Sequence, residues 1–275
     1  MVQFPLSTVS VRIVPGNSLK PGPAKYACAH FSVNEKNLFL HVVNVACYQI
    51  EQGKKISISP YKDADDASIS LFLNGSALGA VLHQQGKLPL HGSSFEYRNK
   101  GIVICGCSGA GKSSVTMAFC QNGAHFINDD ITPLDIASGD TKIVSLHSRM
   151  KLWDDSFLKL SIAMKESKRI RPTLNKFYLS VKRTNEAEQK LDQVIILGTH
   201  QKNEFEVQEL KGTEKFNVLR TQIYRKAYLK GMPETQKKYF GQLLRLAGSV
   251  PVTRVVRPQI CDIYETMHFI EKIIG

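Results

Sequence analysis

Residues 106–113 read Gly106-Cys107-Ser108-Gly109-Ala110-Gly111-Lys112-Ser113, and no other stretch of the chain restricts its fold as tightly. The run matches G-x-x-x-x-G-K-[ST], the P-loop spacing. An apolar strand pattern, Ile102-Val103-Ile104-Cys105, leads into it, and a helical pattern over 112–121 leads out, with Gly123 just past its end. Glycines let successive backbone N–H groups curl around phosphate oxygens without a Cβ clash. The N-terminus of the following helix adds partial positive charge. Lys112 can reach the outer phosphates, and the Ser113 hydroxyl suits Mg²⁺, which prefers hard oxygen ligands. The expected cofactors are therefore ATP and Mg²⁺. The expected nucleotide-binding residues are Gly106, Ser108, Gly109, Ala110, Gly111, Lys112, Ser113 and the adjacent Ser114.

The surrounding pattern is mixed α/β. Residues 1–60 are β-prone, with short strand runs at 31–33, 38–43, 45–50 and 55–59. A boundary near Pro60-Tyr61-Lys62 divides a small β-rich N-terminal region, 1–62, from a larger α/β domain, 63–275. Apolar residues at near-helical spacing predict a helix over 66–85, with Gly75 and Gly79 allowing close packing. Strands are expected at 88–97, 102–105 and 124–127, and a hairpin at 132–136 and 141–146 around a turn at 137–140. Further helices are expected at 152–163, 214–230, 234–247 and 261–274, and strands at 177–181, 194–197, 205–210 and 252–256.

A P-loop alone does not separate kinases from other nucleotide-binding proteins, so the next acidic residues matter. His125-Phe126-Ile127-Asn128-Asp129-Asp130 ends a short strand with two carboxylates. A parallel strand beside the P-loop strand would deliver them to the phosphates. One carboxylate can hold Mg²⁺ and the other can accept the proton of an attacking hydroxyl. His91, fifteen residues before Gly106, is a third candidate, able to orient a nearby carboxylate. The strand before Asp129 is too short and polar for a motor-type ATPase, and no Asp-Glu pair follows it.

Three blocks, Leu90-His91-Gly92, the run 106–113 and Asn128-Asp129-Asp130, resemble in order and separation the HPr kinase/phosphorylase superfamily. A weaker block is Arg149-Met150-Lys151-Leu152-Trp153-Asp154. The resemblance implies a P-loop kinase core of the HPr kinase and phosphoenolpyruvate carboxykinase-like type, acting on a serine hydroxyl. It implies that Asp129 is the general base, that His91 and Lys112 assist, and that Ser113 with Asp130 binds Mg²⁺. Two departures qualify it. Ser114 stands where the bifunctional enzymes carry an acidic residue, and the Glu-Ile-Arg-Gly-type segment is absent, 147–153 running in its place. Phosphorolysis and HPr itself as substrate are therefore not expected. The chain is closer to relatives that phosphorylate lasso-peptide precursors. The expected activity is a serine kinase for a peptide or small protein. The alternatives are a small-metabolite kinase and a nucleotide-gated regulatory protein.

Composition restricts the partners. Lys and Arg number 36 against 24 Asp and Glu, a net charge of +12. The charge is spread along the chain, densest over 165–171 with Lys182 and Arg183 beyond, and no aromatic-interleaved pattern accompanies it. Nucleic acid is not expected as a partner; the charge reads as a solvated basic surface, or as a dock for an acidic partner or polyphosphate. No run of about 18 apolar residues points to a membrane span, and residues 1–5 do not begin a signal peptide. The six cysteines lack zinc-type spacing, so reduced thiols and a cytoplasmic location are expected. Cys107 is read as inert packing. Assembly into a homo-oligomer stays open.

Overall fold

The structure is a computed structural model, described over residues 11–136, 139–146, 149–164, 167–181 and 187–275. The strand Lys100–Gly106, which feeds the glycine-rich loop, lies inside a nine-stranded sheet. Successive side chains of a strand leave on opposite faces. Ile102 and Ile104 accordingly enter one core with Phe119, Phe157 and Ile270, while Val103 and Cys105 enter another with Leu78, Leu88 and Tyr239. A strand buried on both faces reads as a continuous apolar run, as this one does. Helices Lys112–Gln121 and Ile263–Ile274 contribute to the first core, and the helical segment 66–84 and Pro233–Ser249 to the second.

The long strand Glu188–His200 organises the sheet. Its first residues pair antiparallel with Thr141–Val144, and the remainder lies parallel to both Lys100–Gly106 and Val252–Pro258. Glu206–Glu209 adds the edge beyond Val252–Pro258. On the other side of the loop strand come Gly92–Tyr97 and then His125–Asn128, both antiparallel to their neighbours. Thr132–Ile136 and Leu88–Leu90 complete the sheet through Thr141–Val144. A separate three-stranded sheet joins Arg149–Trp153, Lys176–Ser180 and Lys168–Arg169.

The chain is thus mixed α/β with several sheets. A six-stranded sheet holds Arg12–Pro15, Lys55–Pro60, Ala46–Glu51, Asn37–Val42, Phe31–Val33 and Tyr26–Ala27 in that order. Its Tyr48, Ile50 and Ile56 share a core with Leu73 and Leu78. The Glu35 carboxylate accepts hydrogen bonds from the Glu234 amide at 2.7 Å and the Thr235 hydroxyl at 2.8 Å, where Pro233–Ser249 begins. The Glu234 amide would otherwise be orphaned at the helix start. Among the described residues, no helix is long and apolar enough to cross a membrane.

Several expectations are corrected. The predicted helix 152–163 is a strand, Arg149–Trp153, followed by a single short helix, Asp154–Lys159. Pairing with Lys176–Ser180 overrides the local preference. The predicted helix 214–230 ends at Thr221, because Ile223 bridges to Leu90 and the Tyr224 amide donates to the Pro89 carbonyl at 2.8 Å. A 3-10 helix, Lys226–Gly231, follows. The predicted strand 88–97 is two strands broken at His91, each in a different part of the sheet. His125–Asn128 is not beside the loop strand: Gly92–Tyr97 lies between them. The helix at 66–84 forms with a π turn, Leu73–Ala77, in its middle. Gly79 there admits the Tyr224 ring; a Cβ would stand 2.9 Å from Tyr224 Cε1. Residues 137 and 138 of the expected turn, His147, and Lys165, Lys182 and Arg183 of the basic stretch lie outside the described residues, as do residues 1–10.

His83 ties these layers together. It is fully buried, its Nε2–H donates to the Tyr224 carbonyl at 2.8 Å, and its Nδ1 lies 3.1 Å from the Tyr239 hydroxyl. Burial pushes its pKa down to about 4, partly offset by the Tyr224 bond. The folded state therefore holds His83 neutral where the unfolded chain would protonate it. This stability is complete above the unfolded value near 6.5 and is lost as pH falls towards the folded value. Between pH 7 and pH 4 the unfolding free energy should lose roughly 3 kcal/mol through this residue. In urea titrations, the difference between the wild type and His83→Gln should narrow by that amount over the same range. A difference independent of pH would refute the assignment.

Candidate functional site

At the end of the loop strand the backbone turns sharply. Gly106 has φ 142°, and a Cβ there would stand 2.1 Å from the Leu197 carbonyl oxygen of the neighbouring strand. Only glycine allows the loop to leave the sheet so close to its neighbour. Gly111, with φ 101°, stands just before the helix Lys112–Gln121. Lys112 folds back over the loop, its ammonium donating to the Gly106 carbonyl at 2.9 Å and the Cys107 carbonyl at 3.0 Å. Burial lowers its pKa, opposed by Cys105 and the two carboxylates. Cys107, expected to pack, is exposed; Cys105 is the buried thiol, pushed up to about 12 by burial.

The two aspartates arrive from the end of His125–Asn128. In an extended strand their side chains would leave on opposite faces. Asp130 instead adopts left-handed backbone, φ 71°, a conformation aspartate tolerates better than most residues. Both carboxylates line one cavity of about 300 Å³ with Ser108, Gly109, Gly111, Lys112, Ser113 and Ser114. Gly106 and Ala110 do not line it: the first closes the strand, and the second is buried in the core. Ser114 turns its hydroxyl to Ser156, at 3.0 Å.

The carboxylates have different partners. Ser113 Oγ donates to Asp129 Oδ1 at 2.6 Å, and the Lys151 main-chain N–H donates to Asp129 Oδ2 at 2.8 Å. Burial raises the pKa of Asp129, opposed by the Ser113 bond. Asp130 Oδ2 instead accepts from the Lys151 ammonium at 2.6 Å. Burial alone would raise its pKa, but Lys151 outweighs that and holds the carboxyl well below the usual range. His91 sits at the strand break beside it. Its Nδ1–H donates to the Asp130 carbonyl at 3.0 Å and lies 3.5 Å from Oδ1. Burial lowers the His91 pKa and nearby Lys112 lowers it further, opposed by Asp130; the shift favours the neutral ring, and with Nδ1 donating, Nε2 is the acceptor nitrogen, with no partner among the described residues.

Thus His91, Lys112, Ser113, Asp129 and Asp130 converge. Lys151 and Trp153, which in the sequence stand only in the weaker block 149–154, line the cavity, as do Lys176 and Arg257, which no motif marks. Arg257 Nε donates to the Ala110 carbonyl at 3.2 Å, bracing the loop from the late strand. Lys151 carried no signal of its burial: strand alternation puts it on the face opposite Met150 and Leu152, a pattern that reads as solvent-facing, yet the structure buries it against Asp130.

The donor set suits a metal that arrives with a polyphosphate. Ser113 and Asp129 offer adjacent hard oxygens, and Mg²⁺ is commonly held by one or two protein oxygens plus phosphates and water. Among the described residues, no three His, Cys, Asp or Glu side chains cluster as a dedicated metal cage would.

The Lys151–Asp130 pair generates a prediction. Lys151→Met leaves the Asp130 charge without its partner. The cost should be about 2–3 kcal/mol, below that for a fully buried pair because the Asp130 side chain keeps 25% exposure. Adding Asp130→Asn should recover most of it in urea unfolding. A double variant no more stable than Lys151→Met would contradict the pairing.

No family model matches the chain, and no curated protein matches it. Among solved structures, the chain is similar to the Hpr(Ser) kinase/phosphatase from Coxiella burnetii, at 10% identity and a TM-score of 0.33, covering 68% of this chain and 93% of that one. A TM-score of this size bears on neither fold nor activity.

Proposed function

We propose that this chain is an ATP- and Mg²⁺-dependent kinase that transfers the γ-phosphoryl group to a serine hydroxyl of a peptide or small protein. One observation carries the reading. A glycine-rich loop with a buried lysine, a serine–aspartate oxygen pair and a second, lysine-held aspartate beside a neutral histidine all line a single cavity. Phosphoryl transfer requires little covalent chemistry from a protein; it requires positioning and charge compensation, which this set supplies.

In this reading the loop amides and Lys112 hold the phosphates, and Lys176 and Arg257 add positive charge at the rim. Trp153, exposed at the cavity edge with Lys176 Nζ 5.6 Å from its ring centre, offers a face to the nucleobase. Mg²⁺, when bound, would neutralise phosphate charge and align the γ-phosphoryl group. We assign its protein ligands to Ser113 and Asp129, whose oxygens already meet. Asp130 then accepts a hydrogen bond from the serine hydroxyl and takes its proton only late, as the Oγ–P bond forms, with His91 and Lys151 fixing its orientation. This exchanges the duties that the family resemblance implies for the two carboxylates. The lysine lowers the basicity of Asp130, so its main service is to orient the hydroxyl. Lasso-type precursor peptides are the first substrates to test, in a reducing, cytoplasm-like buffer.

The chain has one tryptophan, Trp153, which provides a direct readout of the nucleotide. ATP with Mg²⁺ should change its fluorescence, and Lys112→Met should abolish the change. Mass spectrometry after incubation with peptides should show the addition of one phosphate. Asp130→Asn should lower kcat by roughly 10²–10⁴-fold with the Mg²⁺ requirement unchanged. Asp129→Asn should raise the Mg²⁺ concentration needed for half-maximal rate. The reverse pattern would restore the allocation implied by the family. Transfer only to free hydroxyl compounds would select a metabolite kinase, and binding without any transfer would select a regulatory protein.

A further inference from the structure

A second cleft shares His91, Ser108, Asp130 and Lys151 with the loop cavity and reaches the 221–227 segment, where Tyr224 and Arg225 line it. Through Thr221, Ile223, Lys226 and Ala227 that segment also walls a third and larger depression. The three are contiguous, so a continuous surface runs from Asp130 to the groove between helices Gly212–Thr221 and Pro233–Ser249.

The groove has its own chemistry. Its floor is apolar, formed by Ile223, Leu229, Tyr239 and Leu243, and Phe216 meets Phe240 there with ring centres 5.3 Å apart. Phe240 is 56% exposed and, packed on Phe216, carries the apolar floor out to the surface. Arg220, Lys226, Lys230 and Lys237 stand around it, and none of its lining residues is acidic. Its volume of about 1130 Å³ exceeds what a small-molecule site usually offers. We infer that this groove docks an acidic, amphipathic segment of the peptide substrate, at a distance from the reacting serine.

The intervening residues of the substrate then run along the second cleft to Asp130. This rests on the peptide-kinase reading above. Apolar residues on one face of the segment fill the floor, and carboxylates on the other meet the cations. Two other occupants fit less well. A second copy of this chain carries a net charge of +12, and residues 1–10 contain no acidic residue. Single-stranded nucleic acid would meet the cations, but it binds by stacking bases on presented rings. Tyr239 is buried, which leaves Phe240 as the prominently exposed ring.

Fluorescence anisotropy with the full chain, without nucleotide, tests the inference. The probes are a labelled helical peptide with Leu and Phe on one face and Glu on the other, the same peptide with Lys for Glu, and a labelled oligothymidylate of equal charge. The Glu peptide should bind at least about tenfold more tightly than the Lys peptide. Phe240→Ser and the double variant Lys230→Glu/Lys237→Glu should each weaken it by about tenfold. The ATP response of Trp153 should be unchanged in both variants, which also shows that they fold. Equal binding of the two peptides, or wild-type binding by both variants, overturns the inference. So does oligothymidylate binding that is tighter than the Glu peptide and lost in the same variants, or a dimer in sedimentation that Phe240→Ser dissociates. Peptide capture with no ATP response in the wild type would count against the kinase reading alone.

Discussion

Lys151 holds both acidic residues of the candidate site at once. Its main-chain N–H engages Asp129 and its ammonium engages Asp130. Two adjacent carboxylates in a largely buried cavity repel each other and lose hydration, so each needs a dedicated donor. One residue supplies both because Arg149–Trp153 runs as a strand past the end of His125–Asn128, with Ser113 completing the shell around Asp129. The three-stranded sheet that carries Lys151 also places Lys176 and Trp153 at the cavity rim.

This arrangement separates two carboxylates that are neighbours in sequence. Asp129 is buried, joined to Ser113, and has its pKa raised by burial. Asp130 is held ionised by a lysine and borders the second cleft. Environments that push two like groups apart are how one site assigns them different duties. His91 belongs with Asp130 because the break between Leu88–Leu90 and Gly92–Tyr97 points it there; its main-chain N–H is anchored to the Gln222 carbonyl at 2.7 Å.

The 221–227 segment is therefore part of the site's frame. Tyr224 is bonded to His83 through its carbonyl, packs over Gly79, and lies with its ring centre 5.7 Å from that of His91. Buried helix, strand break and site histidine are linked through one aromatic residue. Arg225, left-handed with φ 49°, turns the chain from this anchor into the basic groove. In sequence the segment looks like the continuation of a helix. The interruption comes from its pairing with residues 89–91, a contact between positions more than a hundred residues apart that no local pattern encodes.

The sequence alone determined the elements whose cause is local. Apolar runs gave the loop strand, glycine spacing gave the turn after it, and 3.6-residue periodicity gave the helices at 66–84 and 112–121. The residues proposed to hold a phosphate were legible for the same reason: the motif 106–113 is contiguous, and its chemistry is written in adjacent residues. Tertiary structure decided how those residues are partnered. Which aspartate meets Ser113 depends on a left-handed residue at Asp130, and what holds them depends on a strand that local propensity reads as helix. The basic, apolar groove exists only because two helices distant from the loop close on one face. Strand pairing and burial of charge are long-range interactions, and their energies depend on neighbours that a linear pattern does not contain.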